Sequence, residues 1–441
     1  MNSRDKYSAT RILYIIEAAI EYFIATLISG PYLSRLATEI GFSTAATGVI
    51  TAFTSLGCLF HLVAIFIADK TPVKKWVVAF TGIHEVFFIL CFFIPFLKSS
   101  TLLKMILLAS FVLLGKVILN IINSPKITMY MNLVPDKKRG QFTAIKEIVS
   151  LLGGMGFTFL MSYFIDNFTK NGNLLGSFIF CGVGMAILTI FHLLLLFFSK
   201  EKPVDRVKVN HGQHLKNLFH NKKLMLTVTL FILVAISDNA IKSFLPTYQL
   251  KELGFSMTYV TICSAILAVS RAILSIPMGK FADRYSFVKM LNVCLIFNIA
   301  AAITCMFIVP GNAKYLFIIY CVLDGAAWSG INSASMNLTY DCVNKNERTS
   351  AYALKSAAAG LFGFLISLSI SPLVDSIEKN GNSFLGIENI YAQQVCACIG
   401  VIISFIIILY LNLFIRPLFK RKTLLTQGID LSKINNEQKK E

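Results

Sequence analysis

One stretch of the chain occurs twice at a fixed separation. Residues 139–173 read RGQFTAIKEIVSLLGGMGFTFLMSYFIDNFTKNGN, and residues 348–382, 209 positions later, read RTSAYALKSAAAGLFGFLISLSISPLVDSIEKNGN. The copies align without a gap, so that Asp166 falls on Asp375 and both copies end in Lys-Asn-Gly-Asn. Each copy has a basic turn, about 25 mostly apolar residues and a polar turn, which is the plan of a helix that crosses a bilayer. The repeat therefore predicts two membrane-embedded halves of related structure.

Apolar runs recur along the whole chain. Of the 441 residues, 56% are hydrophobic and 15% are charged, which leaves too little polar material to cover a water-soluble surface. We predict twelve transmembrane helices, because twelve runs are each long enough to cross a hydrocarbon core of roughly 30 Å. The runs, numbered 1 to 12 in chain order, are 10–30, 45–68, 73–97, 102–124, 142–165, 174–199, 224–246, 257–281, 287–309, 315–337, 350–374 and 390–415.

The runs fall into two groups of six around a polar stretch. We predict an all-α polytopic membrane protein of two pseudo-symmetric six-helix bundles, 1–199 and 223–416. A cytoplasmic linker, 200–222, joins the bundles, and a cytoplasmic tail, 417–441, follows them. The first run has a short basic start and no small-x-small cleavage site, so we expect it to be retained as a helix.

The positive charge of the chain, a formal net +18, is distributed unevenly between the predicted loops. If the N-terminus is cytoplasmic, the cytoplasmic ends and loops hold 29 Lys and Arg residues, and the outer loops hold seven. This bias is typical of the positive-inside rule, and an even number of helices then puts both termini in the cytoplasm. We expect a multi-pass protein of the cytoplasmic membrane whose basic residues face anionic lipid, not nucleic acid.

The cysteines and histidines give little indication of a metal or cofactor site. The ten cysteines contain no CxxC pair and lie almost singly inside apolar runs, where they read as small core residues. His211 and His214 form an HxxH in the linker without support from carboxylates or thiols. We predict no metal and no cofactor.

Polar and ionisable side chains inside the runs are the candidate functional residues. Each charged group deep in a bilayer costs about 2.5 to 3.5 kcal/mol on insertion scales, so it needs a partner, a wet cavity or a function. The candidates are Glu17 and Glu21 in run 1, Lys116 and Asn120 in run 4, Asp238 and Lys242 in run 7, Arg271 in run 8, and Asp324 and Trp328 in run 10. His84 and Glu85 in run 3 are further buried ionisable groups.

The repeat suggests where these groups meet. It places Lys116 one residue from the position equivalent to Asp324, so we expect the two to face each other at similar depth. A polar cavity near the midplane follows, with acids from both halves, a base between them, and the rings of Tyr14 and Trp328 available to stack on a solute.

Structural alternatives stay open for several of these groups. Asp238 and Lys242 could simply neutralise each other one turn apart, and Arg271 could be a structural partner of an acid in run 7 or 10. Lys146 and Lys355 lie close enough to loops that we expect them to snorkel.

Two loops, after runs 2 and 8, are related to each other. The second reads PMGKFADRYSFVK and contains Gly279, Asp283 and Arg284; the first reads IFIADKTPVKK and contains Asp69 and Lys70. The second loop has a glycine, three further residues, an aspartate and then a base. This order resembles the loop signature of the major facilitator superfamily, although the first loop lacks the glycine.

The resemblance covers nearly the whole chain. Twelve runs, the duplicated halves, the central loop, and the basic residues Arg139 and Arg348 after runs 4 and 10 all agree with it. It implies that helices 1, 4, 7 and 10 line a central cavity. An aspartate such as Asp283 or Asp69, with the base after it, could close one face of the protein by binding a neighbouring helix N-terminus, and this contact must break in the other state.

These features favour a secondary transporter that works by alternating access on a small polar solute, a sugar or an organic ion. No Walker loop is present, so ATP cannot drive it directly. Proton coupling through Glu21 or Asp238 is a hypothesis. The alternatives are a proton-coupled drug or metabolite exporter, or a transport-fold sensor; an intramembrane enzyme is disfavoured because the runs lack a hydrolase or HExxH arrangement. We expect a monomer, and the sequence leaves solute, direction and coupling ion open.

Overall fold

The computed structural model describes residues 7–63, 73–135, 139–202, 211–344 and 347–419. Within these ranges it contains twelve helical segments that are long and apolar enough to cross a membrane, as the sequence predicts. We call them spans 1 to 12. They are Ser8–Ile40, Thr44–Val63, Lys74–Phe96, Thr101–Met131, Ile148–Lys170, Leu174–Phe198, Lys222–Lys251, Met257–Arg284, Phe287–Met306, Ala313–Tyr340, Arg348–Lys379 and Ala392–Phe419.

A separate short helix, His211–His220, lies in the linker between spans 6 and 7. We call the face of the bundle that carries this helix the linker side and the opposite face the distal side. The loops that follow the odd-numbered spans are on the distal side.

The duplicated sequence forms a pair of matching helices. Arg139–Lys170, which contains span 5, and Arg348–Lys379, which is span 11, each have 32 residues and begin and end at repeat-related positions. The internal repeat therefore marks the same element in the two halves, as predicted.

Spans 1 and 7 are interrupted near the distal side. Span 1 consists of the helices Ser8–Leu27 and Gly30–Ile40, and span 7 consists of Lys222–Lys242 and Leu245–Lys251. A proline, Pro31 or Pro246, lies in the first turn of each second helix, where a missing N–H is tolerated. The predicted runs 1 and 7, which ended at residues 30 and 246, were thus too short, because the chain continues as a helix after each break.

Span 4 also extends beyond its predicted end. The helix Thr101–Met131 continues through Pro125, whereas the sequence analysis ended run 4 just before that proline, at residue 124. A proline can be accommodated in a transmembrane helix because neighbouring helices satisfy the carbonyl that it leaves unbonded. This correction moves Lys126 from a predicted loop into the last turns of span 4.

Several hydrogen bonds join the two halves in the distal part of the bundle. Thr51 of span 2 donates its hydroxyl to the carbonyl of Ser243 at 2.7 Å, and Ser55 donates to Asn239 Oδ1 at 2.7 Å. Gly360 of span 11 packs so closely on span 2 that an added Cβ would lie 2.2 Å from the Ser55 carbonyl oxygen. These contacts bring spans 2, 7 and 11 together.

Candidate functional site

A polar cavity of about 440 Å³ lies mainly within the C-terminal half. Five of the nine predicted cavity residues contribute to its wall: Asp238, Lys242, Arg271, Asp324 and Trp328. The remaining wall is formed by Pro31, Leu245, Pro246, Gln249, Cys263, Ser264, Leu267, Phe317, Tyr320, Cys321 and Asn332. The breaks in spans 1 and 7 therefore lie at the cavity, as is typical of discontinuous helices at binding sites.

The centre of the cavity wall is an ion-paired triad of Asp238, Lys242 and Asp324. Lys242 Nζ lies 2.7 Å from Asp238 Oδ1 on the same helix and 3.0 Å from Asp324 Oδ2 on span 10. Asp324 is almost fully buried, while the side chains of Lys242 and Asp238 remain 32% and 22% exposed. Asp238 and Lys242 therefore form the ion pair within span 7 that their spacing suggests. Lys242 also forms an ion pair with Asp324 of span 10.

Trp328 supports the same lysine. Trp328 lies one helical turn after Asp324 on span 10, and Lys242 Nζ is 4.6 Å from the centroid of its ring. The face of an aromatic ring attracts a cation at this distance. The indole Nε1 is buried and has no hydrogen-bond acceptor among the described residues.

Arg271 brings a second base to the wall from span 8. Spans 8 and 10 approach closely because Gly325 faces Leu267, whose carbonyl oxygen would lie 2.6 Å from an added Cβ. Arg271 is exposed and forms no ion pair with any described acid. The wall therefore carries two acids and two bases, an arrangement without net charge when all four are ionised.

A second charged group, which we call the N-terminal network, lies outside this cavity. Lys126 Nζ is 2.9 Å from Glu17 Oε1 and 2.6 Å from Glu21 Oε1, so it links two acids of span 1 to span 4. Lys126 and Glu17 are fully buried, and Glu21 keeps 20% of its side chain exposed. The two glutamates are thus paired, although they have no neighbouring base in the sequence.

The network continues to spans 3 and 6 through His192. Its Nε2 lies 2.8 Å from Glu17 Oε1, and its Nδ1 bonds a carboxylate oxygen of Glu85. A neutral imidazole has only one N–H, so two such bonds require a second proton, either on the ring or on one of the acids. The network therefore holds a proton beyond those of a neutral histidine and ionised acids.

The aromatic residues near this network are packed against each other. Tyr14 is buried and stacks on Tyr130 with ring centroids 4.1 Å apart, and His84 Nδ1 donates to the Phe80 carbonyl at 3.0 Å. The expectation that Tyr14 offers a free ring to a solute was wrong, because Tyr130 covers that face.

Lys116 and Asn120 do not lie opposite Asp324 in a shared void. Lys116 is buried with its amine 5.5 Å from the centroid of the Phe88 ring, and Asn120 donates its amide to the Lys116 carbonyl at 2.8 Å. Neither residue lines the cavity, nor do Glu17 and Glu21. The repeat did not give the direction of the Lys116 side chain, because a one-residue offset rotates a helical side chain by about 100°.

Lys355 also differs from expectation. It is buried and donates to Ser335 Oγ of span 10 at 2.8 Å, with its amine 4.1 Å from the centroid of the Tyr352 ring. It therefore does not snorkel. Lys146 is partly exposed and lies 5.8 Å from the centroid of the Tyr14 ring.

The predicted conformational latch is only partly visible. Asp69 and Lys70 lie outside the described residues, and the side chain of Arg139 is not described although its helix is. Gly279 has open space around it. Asp283 and Arg284 are exposed at the linker-side end of span 8, and Arg348 lies beside Tyr340 at 5.4 Å.

Lys126 and His192 were missed in the sequence. A usable signal existed for Lys126, since Lys116, Asn120, Asn123 and Lys126 form one polar stripe on a helix. His192 is a single polar residue in an apolar run and had no comparable pattern.

Comparison with solved structures shows the same fold in transporters of known structure. The nucleoside transporter NupG has a TM-score of 0.69 at 16% identity, with 91% of this chain and 98% of that chain covered. The D-xylose-proton symporter has a TM-score of 0.65 at 13% identity, covering 90% and 96%. A bacterial homolog of the human lysosomal transporter Spinster, in an inward-facing and unoccupied conformation, has a TM-score of 0.63 at 15% identity, covering 93% and 96%.

No curated protein sequence matches the chain significantly. A family model does match it, over residues 15–372, which is most of the chain and reaches into both halves. Together with the twelve spans and the duplicated helices, this match shows that the chain belongs to the Major Facilitator Superfamily.

Proposed function

We propose that this protein is a secondary transporter that moves a small polar solute by alternating access, and that the cavity around Asp238, Lys242 and Asp324 binds the solute. The observation that carries the proposal is this triad, since three ionisable groups near the middle of the membrane share a cavity wall with a tryptophan. Charged groups inside a bilayer are rare and mark solute or ion pathways. Transport, rather than catalysis, is the activity that this arrangement supports.

The cavity favours a solute that is polar and without large net charge. Its volume of about 440 Å³ is in the usual range of ligand pockets, roughly 300 to 1,000 Å³. The acids can accept hydrogen bonds from a solute, while Lys242 and Arg271 can donate them. Sugars and nucleosides combine hydroxyl groups with a ring that can lie on an aromatic face, and two of the similar structures are a nucleoside transporter and a xylose symporter.

Uptake into proteoliposomes tests the proposal. A panel of labelled pentoses, hexoses, nucleosides and organic acids is offered to wild type and to Asp324→Asn. We expect uptake of at least one compound and its loss, by at least tenfold, in Asp324→Asn, because the triad then lacks an acid. Asp375→Asn is the matched control, since Asp375 pairs with Lys379 at 2.6 Å on an exposed helix face. Equal uptake by both variants would contradict the assignment of the cavity.

We also propose that a proton drives the transport, with Glu21 as the acid that loads it. Glu21 is the exposed member of the N-terminal network, and Lys126 joins it to the buried Glu17. A proton on Glu21 would release Lys126 toward Glu17, so protonation can be transmitted to buried groups that touch four spans. Asp238 was an equal candidate in the sequence, but it belongs to the solute triad.

Replacing Glu21 by Gln tests the coupling separately from solute binding. The variant should lose accumulation against a gradient and keep solute exchange, because exchange needs no net proton movement. The exposed Glu388→Gln is a control of the same chemistry. Unchanged accumulation in Glu21→Gln would rule out this coupling site.

The remaining expectations from the sequence stay part of this proposal. They are a monomer of two six-helix halves in the cytoplasmic membrane, with the linker side in the cytoplasm and with Gly279, Asp283, Arg284, Asp69, Lys70, Arg139 and Arg348 forming the latch on that side. The predicted bias of 29 basic residues to seven becomes 28 to seven when Lys126 is counted with span 4, and it still supports the orientation. Labelling of single cysteines at Lys314 and Lys216 with an impermeant reagent on whole cells checks it, with labelling at position 314 alone expected.

A further inference from the structure

Asp166 connects the two halves at the distal side. It lies near the end of span 5, and its two carboxylate oxygens accept hydrogen bonds from the backbone N–H groups of Met257 at 2.9 Å and Thr258 at 2.8 Å. These residues begin span 8, in the other half. An aspartate from one half therefore caps a helix of the other.

The cap supplies acceptors for backbone N–H groups at the start of span 8. The first N–H groups of a helix have no acceptor inside the helix. Here Ser256 Oγ accepts from Tyr259 N at 3.1 Å, and Asp166 accepts from the two N–H groups before it. The negative charge also lies at the positive end of the helix dipole. Separation of the distal ends would leave two backbone donors without their present acceptor.

One helical turn from this cap, hydroxyl groups of spans 1, 5 and 8 form a buried set of hydrogen bonds. Ser162 of span 5 bonds the hydroxyl of Thr261 in span 8, and Tyr32 of span 1 bonds Ser162 Oγ at 2.7 Å. The contact thus involves two successive turns of spans 5 and 8, which makes it a defined interface between the halves.

The repeat provides the comparison that reveals a switch. Asp375 is the counterpart of Asp166, and each has a lysine four residues later, Lys379 or Lys170. Asp375 binds Lys379 at 2.6 Å within its own helix. Asp166 instead binds the N-terminus of span 8, and Lys170 is exposed. In the C-terminal half the aspartate and the lysine therefore form an ion pair within one helix. In the N-terminal half the aspartate instead binds a helix of the other half.

We infer that Asp166 is a two-position latch of the distal gate, bound to the N-terminus of span 8 when the distal side is closed and to Lys170 when it is open. Each position satisfies the carboxylate, so the two states differ little in free energy, as a reversible gate requires. This inference rests on the proposed alternating access, but it can fail while the transport proposal stands, because its test needs no solute.

The test measures the distance between the distal ends of the halves. Spin labels are placed at Asn171 and Lys314, two exposed distal positions, in a background whose native cysteines are replaced. We expect Asp166→Asn to lower the ratio of closed to open molecules by about tenfold, because a neutral amide loses the charge-assisted bonds. Lys170→Gln should raise the ratio, because it removes the competing partner. Asp375→Asn should leave the ratio unchanged.

A second variant removes the donor instead of the acceptor. Met257 is the first residue of its helix and Ser256 before it is extended, so proline fits there while deleting one of the two N–H groups. Met257→Pro should shift the ratio in the same direction as Asp166→Asn, relative to Met257→Leu, which keeps the donor. Equal distance distributions in Asp166→Asn, Asp375→Asn and wild type would overturn the latch, as would a Lys170→Gln protein that opens.

Discussion

The two halves of this protein handle buried charge in opposite ways. In the N-terminal half, Lys126, His192, Glu17 and Glu85 are buried, and Glu21 keeps 20% of its side chain exposed. In the C-terminal half, Lys242 joins two aspartates at the wall of a cavity and keeps 32% of its side chain exposed. Both arrangements place a base between acids of different spans. The N-terminal network is therefore sealed apart from Glu21, whereas the C-terminal triad is open to the cavity.

The sealed network should tolerate disruption least, so the sharpest test of the comparison is to remove its lysine. Lys126→Met leaves Glu21 without a base and Glu17 with His192 alone, and breaking a buried ion pair costs about 3–5 kcal/mol. The free energy of unfolding in detergent, measured by chemical denaturation, checks this. Lys379→Met, whose pair is exposed, is the control and should change stability by about 0–1 kcal/mol. A Lys126→Met protein as stable as the control would mean that the network is not sealed.

A smaller loss of stability is expected for a variant of Glu85, at the other end of the N-terminal network. Glu85→Gln keeps the shape of the side chain but removes the charge that faces His192, and bonds to charged groups contribute about 1.5–3 kcal/mol. The same denaturation experiment measures it, with the exposed Glu388→Gln as reference. If His192→Gln and the double variant show additive losses, the two side chains are not coupled and the network does not extend this far.

The smallest change in stability should occur at the open triad. Asp238 is partly exposed and pairs one turn away, so Asp238→Asn should cost about 0.2–1 kcal/mol. Solute uptake by the same variant should nevertheless fall at least tenfold. A large loss of stability without loss of uptake would reverse the roles assigned to the two groups.

Much of the fold was predictable because it depends on local patterns. Apolar length identified all twelve spans, and the repeat located the helices that begin at Arg139 and Arg348. Runs 1, 4 and 7 were predicted to end at or just before Pro31, Pro125 and Pro246, whereas the helices continue there, because neighbouring helices can satisfy a backbone that a proline interrupts.

The site was less predictable because partners come from distant parts of the chain. Spacing revealed the pair of Asp238 and Lys242, but nothing local indicates that Lys242 also reaches Asp324, or that His192 lies between two glutamates 107 and 175 residues away in sequence. The direction of a side chain around its helix was the other obstacle, since Lys116 does not line the cavity and instead packs on Phe88.

The central claim is that solute binds in the C-terminal cavity and not at the N-terminal network, and the fluorescence of Trp328 tests it most directly. The chain has two tryptophans, so Trp76→Phe leaves Trp328, on the cavity wall, as the only emitter. A transported solute should change this emission saturably, the change should disappear in Asp324→Asn, and Glu85→Gln should keep the dissociation constant within about threefold. Loss of the response in Glu85→Gln with an intact response in Asp324→Asn would contradict the account.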